Sequence, residues 1–181
     1  MRRALIWLIA LAFILCGAAL AEDRMARVIS CPEQGFSTLC LVEYEADFTP
    51  DGGVTIELGP EDGDPWVSVF KTDAPGADFD AEYYLKNIYT ATLASISDET
   101  PGDAAYGTYP LGGKEMPGIL AMITVDGEAH FRFCCYDLED DYFVRYEASC
   151  PAEDAALEET LHAVGDAVRG FQPDPEFYAS K

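Results

Sequence analysis

The chain has 181 residues, of which 33 are acidic and 11 basic, for a formal net charge of −22, and 49% of it is hydrophobic. That apolar content excludes a disordered chain, and the acidity excludes a nucleic-acid binder, which needs a basic face to neutralise phosphates, and a protein docked on anionic lipid. The length suits one domain with a core of its own.

Arg2 and Arg3 precede an apolar run from Ala4 to Leu15, and Ala19-Leu20-Ala21 forms a small-x-small cleavage site before Glu22. This order of parts is that of a secretory signal peptide over residues 1–21. The expected product is secreted, periplasmic or surface-exposed, with no stable membrane span after cleavage. The uncharged stretch Ala4–Ala21 just reaches the length of a span, so an uncleaved anchor is one alternative, and lipidation of Cys16 is another. Cleavage takes away two arginines and no acid, leaving the rest of the chain more acidic still.

Five cysteines lie beyond the signal: Cys31, Cys40, Cys134, Cys135 and Cys150. Export permits disulfides, and Cys31 and Cys40, which flank the first turn, are the candidate bridge. No Cys-x-x-Cys or zinc-type spacing is present.

Ala26–Cys31 and Phe36–Tyr44 read as strands around the turn Pro32-Glu33-Gln34-Gly35, followed by strands Val54–Leu58 and Trp66–Lys71. Trp66, Ser68 and Phe70 alternate against Val67 and Val69. Asp78 is placed to cap a helix over about 78–96, with Ala81, Leu85, Ile88, Thr92 and Ile96 on its apolar stripe. Ser97–Gly107 reads as a loop. Strands Ile119–Val125 and Glu128–Asp137 meet at the Asp126-Gly127 hairpin signal, and Tyr142–Cys150 completes a three-strand meander. A turn at Glu139-Asp140 predicts Phe133 opposite Tyr146, Cys135 opposite Val144, Phe131 opposite Ala148 and Arg132 opposite Glu147; the first turn predicts Met122 opposite Phe131 and Leu120 opposite Phe133. The other face of these strands, with Ile119, Ala121, Ile123, His130, Arg132, Cys134 and Phe143, is half apolar and calls for partial cover. Pro151 is placed to open a terminal helix over about 151–169, with the stripe Leu157, Leu161, Val164 and Val168 and a cap at Gly170. The expected fold is α+β: an antiparallel sheet with a C-terminal three-strand meander, flanked by two main helices. The domain spans 26–172, and 173–181 is a tail.

Gly35-Phe36-Ser37, Leu111-Gly112-Gly113-Lys114 and the ending Val164-Gly165-Asp166-Ala167-Val168-Arg169-Gly170-Phe171, set in that order of elements, resemble the PsbP-like α/β sandwich family. Its members include an extrinsic photosystem II subunit, a Ran-binding nuclear import factor and many bacterial exported proteins and lipoproteins. The resemblance covers residues 26–172 and carries architecture alone. By analogy it implies a non-enzymatic interaction domain, with an unknown protein or cell-surface partner and no cofactor.

Residue chemistry supplies few sites. There are two histidines, His130 and His162, and no Gly-x-Ser-x-Gly, His-Glu-x-x-His or P-loop; an enzyme would need a pocket beside His130. Cys134 can be a small buried hydrophobe, a thiolate favoured by Arg145, or a soft metal ligand. The acidic loops Glu61-Asp62-Gly63-Asp64 and Glu139-Asp140-Asp141 are candidate calcium sites, Asp62 and Asp64 above all, although neither has EF-hand spacing. Trp66, Tyr83, Tyr84, Tyr106 and Tyr109 are candidate groove aromatics. Tyr106 and Tyr109, in a segment rich in Gly and Pro, are the candidate partner site if exposed together.

Overall fold

The longest strands, β7 (Lys114–Val125), β8 (Glu128–Leu138) and β9 (Tyr142–Pro151), form an antiparallel meander because each alternates apolar and mixed positions over ten or more residues. Asp126 and Gly127 both take left-handed φ, 52° and 79°, as a two-residue hairpin turn requires. Met122 stands opposite Phe131 and Leu120 opposite Phe133, as expected. In the next hairpin the partners differ from the expected ones by two residues. Phe133 faces Ala148, Cys135 faces Tyr146, Phe131 faces Cys150, Arg132 faces Ser149, and Glu147 faces Cys134. A shift of two keeps every side chain on its own face, so the facial pattern could not distinguish the two registers.

The computed structural model describes residues 25–59, 65–73, 79–102, 104–139 and 142–174. Around the meander, β3 (Glu45–Phe48), β4 (Val54–Glu57), β5 (Trp66–Asp73) and β6 (Ala105–Leu111) complete a seven-stranded sheet in the order β3-β4-β5-β9-β8-β7-β6. β1 (Ala26–Cys31), β2 (Phe36–Leu41) and β10 (Gln172–Pro173) form a second sheet in the order β1-β2-β10. All pairings are antiparallel.

Each face of the large sheet carries one of the two main helices. Helix α2 (Asp154–Gly170) buries Leu157, Leu161, Val164 and Val168. It starts three residues after Pro151, which ends β9 instead. It packs on β2 and on β9, β5 and β6, tying the two sheets together, and the Thr38 hydroxyl donates to the Ala167 carbonyl at 2.9 Å. Phe171, just past the helix, stacks on Phe36 with centroids 5.3 Å apart. Val54, Ile56, Val67, Val69, Phe133, Val144 and Tyr146 fill the core beneath α2.

Helix α1 runs through Ala81–Tyr83 and Thr90–Ile96, joined by the π-helical stretch Tyr84–Tyr89. Its cap is Asp80, whose carboxylate accepts from the Tyr83 N–H at 2.9 Å; Asp78 lies outside the described residues. The buried face is Ala81, Leu85, Tyr89 and Leu93, while Ile88 and Ile96 are exposed. The i→i+5 bonding widens the turn, so the buried residues follow steps of four and not the mixed three-and-four stripe of a regular helix. This face closes a second core over Ile119, Ala121, Ile123, Cys134 and Tyr136.

Ser97–Gly107 is not all loop, since its last three residues begin edge strand β6. Gly107 and Pro110 interrupt the strand pattern there, and an edge tolerates proline because no neighbour needs its N–H.

Candidate functional site

Of the expected partner site, the structure keeps the residues and separates them. Tyr106 and Tyr109 are three apart on β6 and point to opposite faces. Tyr106 joins the core under α1, its ring 4.3 Å from the Lys86 ammonium. Tyr109 lies on the α2 side, edge-on to Phe133 at 4.9 Å, its hydroxyl donating to the Ala105 carbonyl at 2.8 Å. They form no shared surface.

The candidate disulfide is corrected by register. Cys31 faces Phe36 and Cys40 faces Arg27, an offset of four residues along the hairpin, or roughly 13 Å at strand rise, where a bridge needs Cα atoms within about 7 Å. All five described cysteines are buried and free. Burial pushes the Cys31 thiol up to about 11. It raises Cys134, which lies under α1, well above the usual thiol range, with Glu147 adding to the effect and Arg145 only partly opposing it. Cys134 is therefore the small buried hydrophobe among its three readings, and not a thiolate.

Asp62 and Asp64 lie outside the described residues. In the second acidic loop, Glu139 accepts from the Lys114 ammonium at 3.0 Å, and the same ammonium reaches Asp137 at 2.5 Å. Among the described residues no group of three or more His, Cys, Asp or Glu side chains is placed to hold a metal. His130 is half-buried on β8 opposite Ile123 and Pro151, and His162 is exposed on α2. Tyr83 is exposed, and Tyr84 belongs to an aromatic cluster with Phe79 and Tyr136.

The chemically richest place lies beside α1, on the same sheet face. α1 packs on β7, and the aromatic side chains at its start reach as far as Phe143 on β9. Alternation sends Arg132 from β8, Arg145, Glu147 and Ser149 from β9, Trp66, Ser68 and Phe70 from β5, Thr55 and Glu57 from β4, and Glu45 and Asp47 from β3 to this face. The Arg132 guanidinium stacks over Trp66 at 4.9 Å, and that of Arg145 over Phe70 at 4.6 Å. Glu147 stands between them in the strand pattern, its Oε1 3.1 Å from Arg145 Nε. The Thr55 and Ser68 hydroxyls share a 2.8 Å hydrogen bond at the far side.

Electrostatics here are those of a half-dry cluster. Burial raises the Glu147 carboxyl above its ordinary value, and Arg145 and Arg132 only partly offset that. Burial lowers the Arg132 guanidinium, with Tyr89 and Glu147 opposing. At Arg145 the order reverses: burial pulls it down, but Glu147 and the neighbouring Tyr136 and Cys134 more than restore it. Both Arg132 Nε and Arg145 Nε are shielded from water without an aligned hydrogen bond; Arg145 Nε has the Glu147 carboxylate beside it as its ion pair, whereas Arg132 Nε has no acceptor, a state that costs free energy.

The two chemistry-bearing rows, Trp66-Ser68-Phe70 and the Arg132 face of the meander, are visible in the sequence as alternations. Their meeting depends on the β5–β9 pairing, which joins segments about eighty residues apart and leaves no local signal.

No family model matches the chain, and no curated protein does. Solved structures do. The cyanobacterial PsbP of Synechocystis matches with a TM-score of 0.56 at 12% identity, over 87% of this chain and 96% of that one. The Ran-binding protein Mog1p of Saccharomyces cerevisiae matches with a TM-score of 0.55 at 10% identity, over 85% and 98%. LpqN of Mycobacterium tuberculosis, described as involved in cell envelope biogenesis, matches with a TM-score of 0.50 at 12% identity, over 85% and 93%. At these identities the likeness is one of architecture: the chain has a PsbP-like fold.

Proposed function

We propose that this is an exported, non-catalytic binding domain that engages a macromolecular partner through the half of the large sheet beside α1. The observation that carries the reading is the pair of guanidiniums laid on Trp66 and Phe70 around Glu147. Aromatic and arginine side chains held in place at a half-buried patch are the residue types that dominate protein contacts. A domain with no such use would gain from apolar residues at these positions. Arg2, Arg3 and the Ala19-Leu20-Ala21 site support export, and a Ran-binding protein with the same fold makes a protein partner reasonable.

Site-specific photo-cross-linking tests this. A cross-linking residue at Thr55, beside Ser68 on this face, is expected to give a discrete adduct in extracts of the cell envelope and medium. The same group at Glu158, on the exposed side of α2, is expected to give none, and Trp66→Ala should abolish the Thr55 adduct while the domain stays folded. Equal labelling from both positions, or an adduct indifferent to Trp66→Ala, would remove this face from consideration.

A further inference from the structure

An open sheet edge invites another strand, and the described edges are guarded against it unequally. β3 carries Glu45 and Asp47, and β6 carries Gly107 and Pro110. β10 is two residues long and ends in Pro173. β1, the outer strand of the smaller sheet, has none of these devices. From Met25 to Pro32 there is no acid, in a chain with 33 of them. The one charge in that stretch, Arg27, is turned back on its own chain by a 2.7 Å hydrogen bond to the Tyr44 carbonyl. Met25 is 72% exposed and Val28 66%.

The β1–β2 ladder shows which backbone groups are left over. The Val42 N–H donates to the Met25 carbonyl at 2.9 Å, and these two residues are the next step of the register that sets Ala26 opposite Leu41. In an antiparallel pair, bonds between directly opposite residues recur at every second position. Met25, Arg27, Ile29 and Cys31 therefore turn their backbone groups to β2. Ala26, Val28 and Ser30 turn theirs outward, where no described strand meets them.

Those three residues are symmetric about Val28. A second β1 laid antiparallel with Val28 on Val28 sets Ala26 against Ser30 at both ends, and every outward N–H meets an outward carbonyl. The same register sets Arg27 beside Ile29 of the second copy, so the two cations do not face each other. A basic partner would be drawn to the acid-rich surfaces, and β1 offers it no counter-charge. A second copy meets β1 at an edge to which neither chain brings an acid.

We propose that β1 is a self-association edge: two copies join antiparallel through β1, Val28 on Val28, and merge their small sheets into one. This concerns a different sheet from the partner surface above and is independent of it. The strand is six residues long, so the pairing is reversible and depends on concentration. Each copy carries a large negative charge, so repulsion opposes the pairing, and salt, which screens that repulsion, strengthens it.

Sedimentation equilibrium of the exported, processed protein, from micromolar to millimolar concentration and at low and high sodium chloride, tests this. A monomer–dimer equilibrium that tightens with salt is expected. Val28→Lys should weaken it by roughly tenfold, because like charges then stand directly opposite, even though each lysine lowers the net repulsion between the copies. Val28→Glu should weaken it as well, and an equal mixture of the two variants should recover the dimer. Thermal unfolding of each variant checks that this exposed substitution leaves the fold intact. Amide exchange of the unaltered protein gives a second reading. The Val28 amide should exchange fast in dilute solution and slowly in concentrated solution, while the Arg27 and Ile29 amides, bonded to β2, are slow in both. A monomer at every concentration, a dimer that loosens with salt or ignores Val28→Lys, a mixture that stays monomeric, or a Val28 amide indifferent to concentration would each overturn the proposal.

Discussion

The two faces of the seven-stranded sheet are closed by different means. On β9, Val144, Tyr146, Ala148 and Cys150 point to the α2 side and are fully buried, while Phe143, Arg145, Glu147 and Ser149 point to the other. α2 lies across strands of both sheets, so its face is a continuous apolar core. α1 stands on the meander's edge and leaves the rest of its face to charged, hydroxyl and aromatic side chains. One face therefore carries the stability, which frees the other to hold groups that stability alone would not select.

The largest expected effect lies on the α2 side. Leu157 is 1% exposed, and Leu157→Ala should cost about 3 kcal/mol, the middle of the range for deleting a buried leucine side chain, read as a cooperative loss in denaturant titration. Leu85, fully buried under α1, should show the contrast. Leu85→Ala should speed amide exchange throughout α1 while leaving the amides of β2 and α2 close to wild type, because α1 can detach without dissolving the larger core. Equal acceleration in both helices would mean that the two faces are one cooperative unit.

Next in size is the β6–β7 turn, where two neighbouring glycines differ in what surrounds them. Both have left-handed φ, 59° at Gly112 and 89° at Gly113. A Cβ on Gly112 would lie 2.6 Å from the Gly165 carbonyl and 2.8 Å from the Arg169 amide nitrogen, so the turn presses on the α2 backbone; a Cβ on Gly113 would meet nothing within 4 Å. Gly113→Ala should cost roughly 1 kcal/mol, for the backbone conformation alone. Gly112→Ala adds a clash with backbone that cannot rotate away, and should cost roughly 3 kcal/mol. Similar melting temperatures for the two variants would show that the turn does not bear on α2.

These two regions also mark how far the sequence could be read. The α2 side was legible: the stripe Leu157, Leu161, Val164 and Val168 is buried as its spacing predicts, and the Asp126-Gly127 turn sets the β7–β8 register. β3 was not, because Glu45-Ala46-Asp47-Phe48 is a short edge strand whose acids guard against pairing with other chains and read as loop. The α1 side was legible only in part. That a helix and partial cover exist follows from its pattern, but the π-helical stretch re-phases its buried face, and Tyr89 and Leu93 replace Ile88 and Ile96. The arginine–aromatic patch was the least legible, since β5 has to be laid beside β9 before Trp66 and Phe70 meet the arginines.

The smallest expected effect is a pH dependence centred on Glu147. Burial raises its folded-state value above the ordinary carboxyl near 4.5, more than Arg145 and Arg132 lower it. A carboxyl raised on folding favours the folded chain when protonated. Its contribution is fully present below the unfolded value and is lost as pH rises through the folded one. The other acids of the chain titrate in the same range, so the effect is read as a difference. The stability of Glu147→Gln minus that of the wild type should rise as pH increases through the raised value, and should be flat above it. The arginines set its size. In an Arg132→Gln background one of the two opposing charges is gone, the Glu147 value climbs further, and the step in the difference should widen and move to higher pH. A step unchanged by Arg132→Gln would mean that Arg132 and Glu147 do not sense each other.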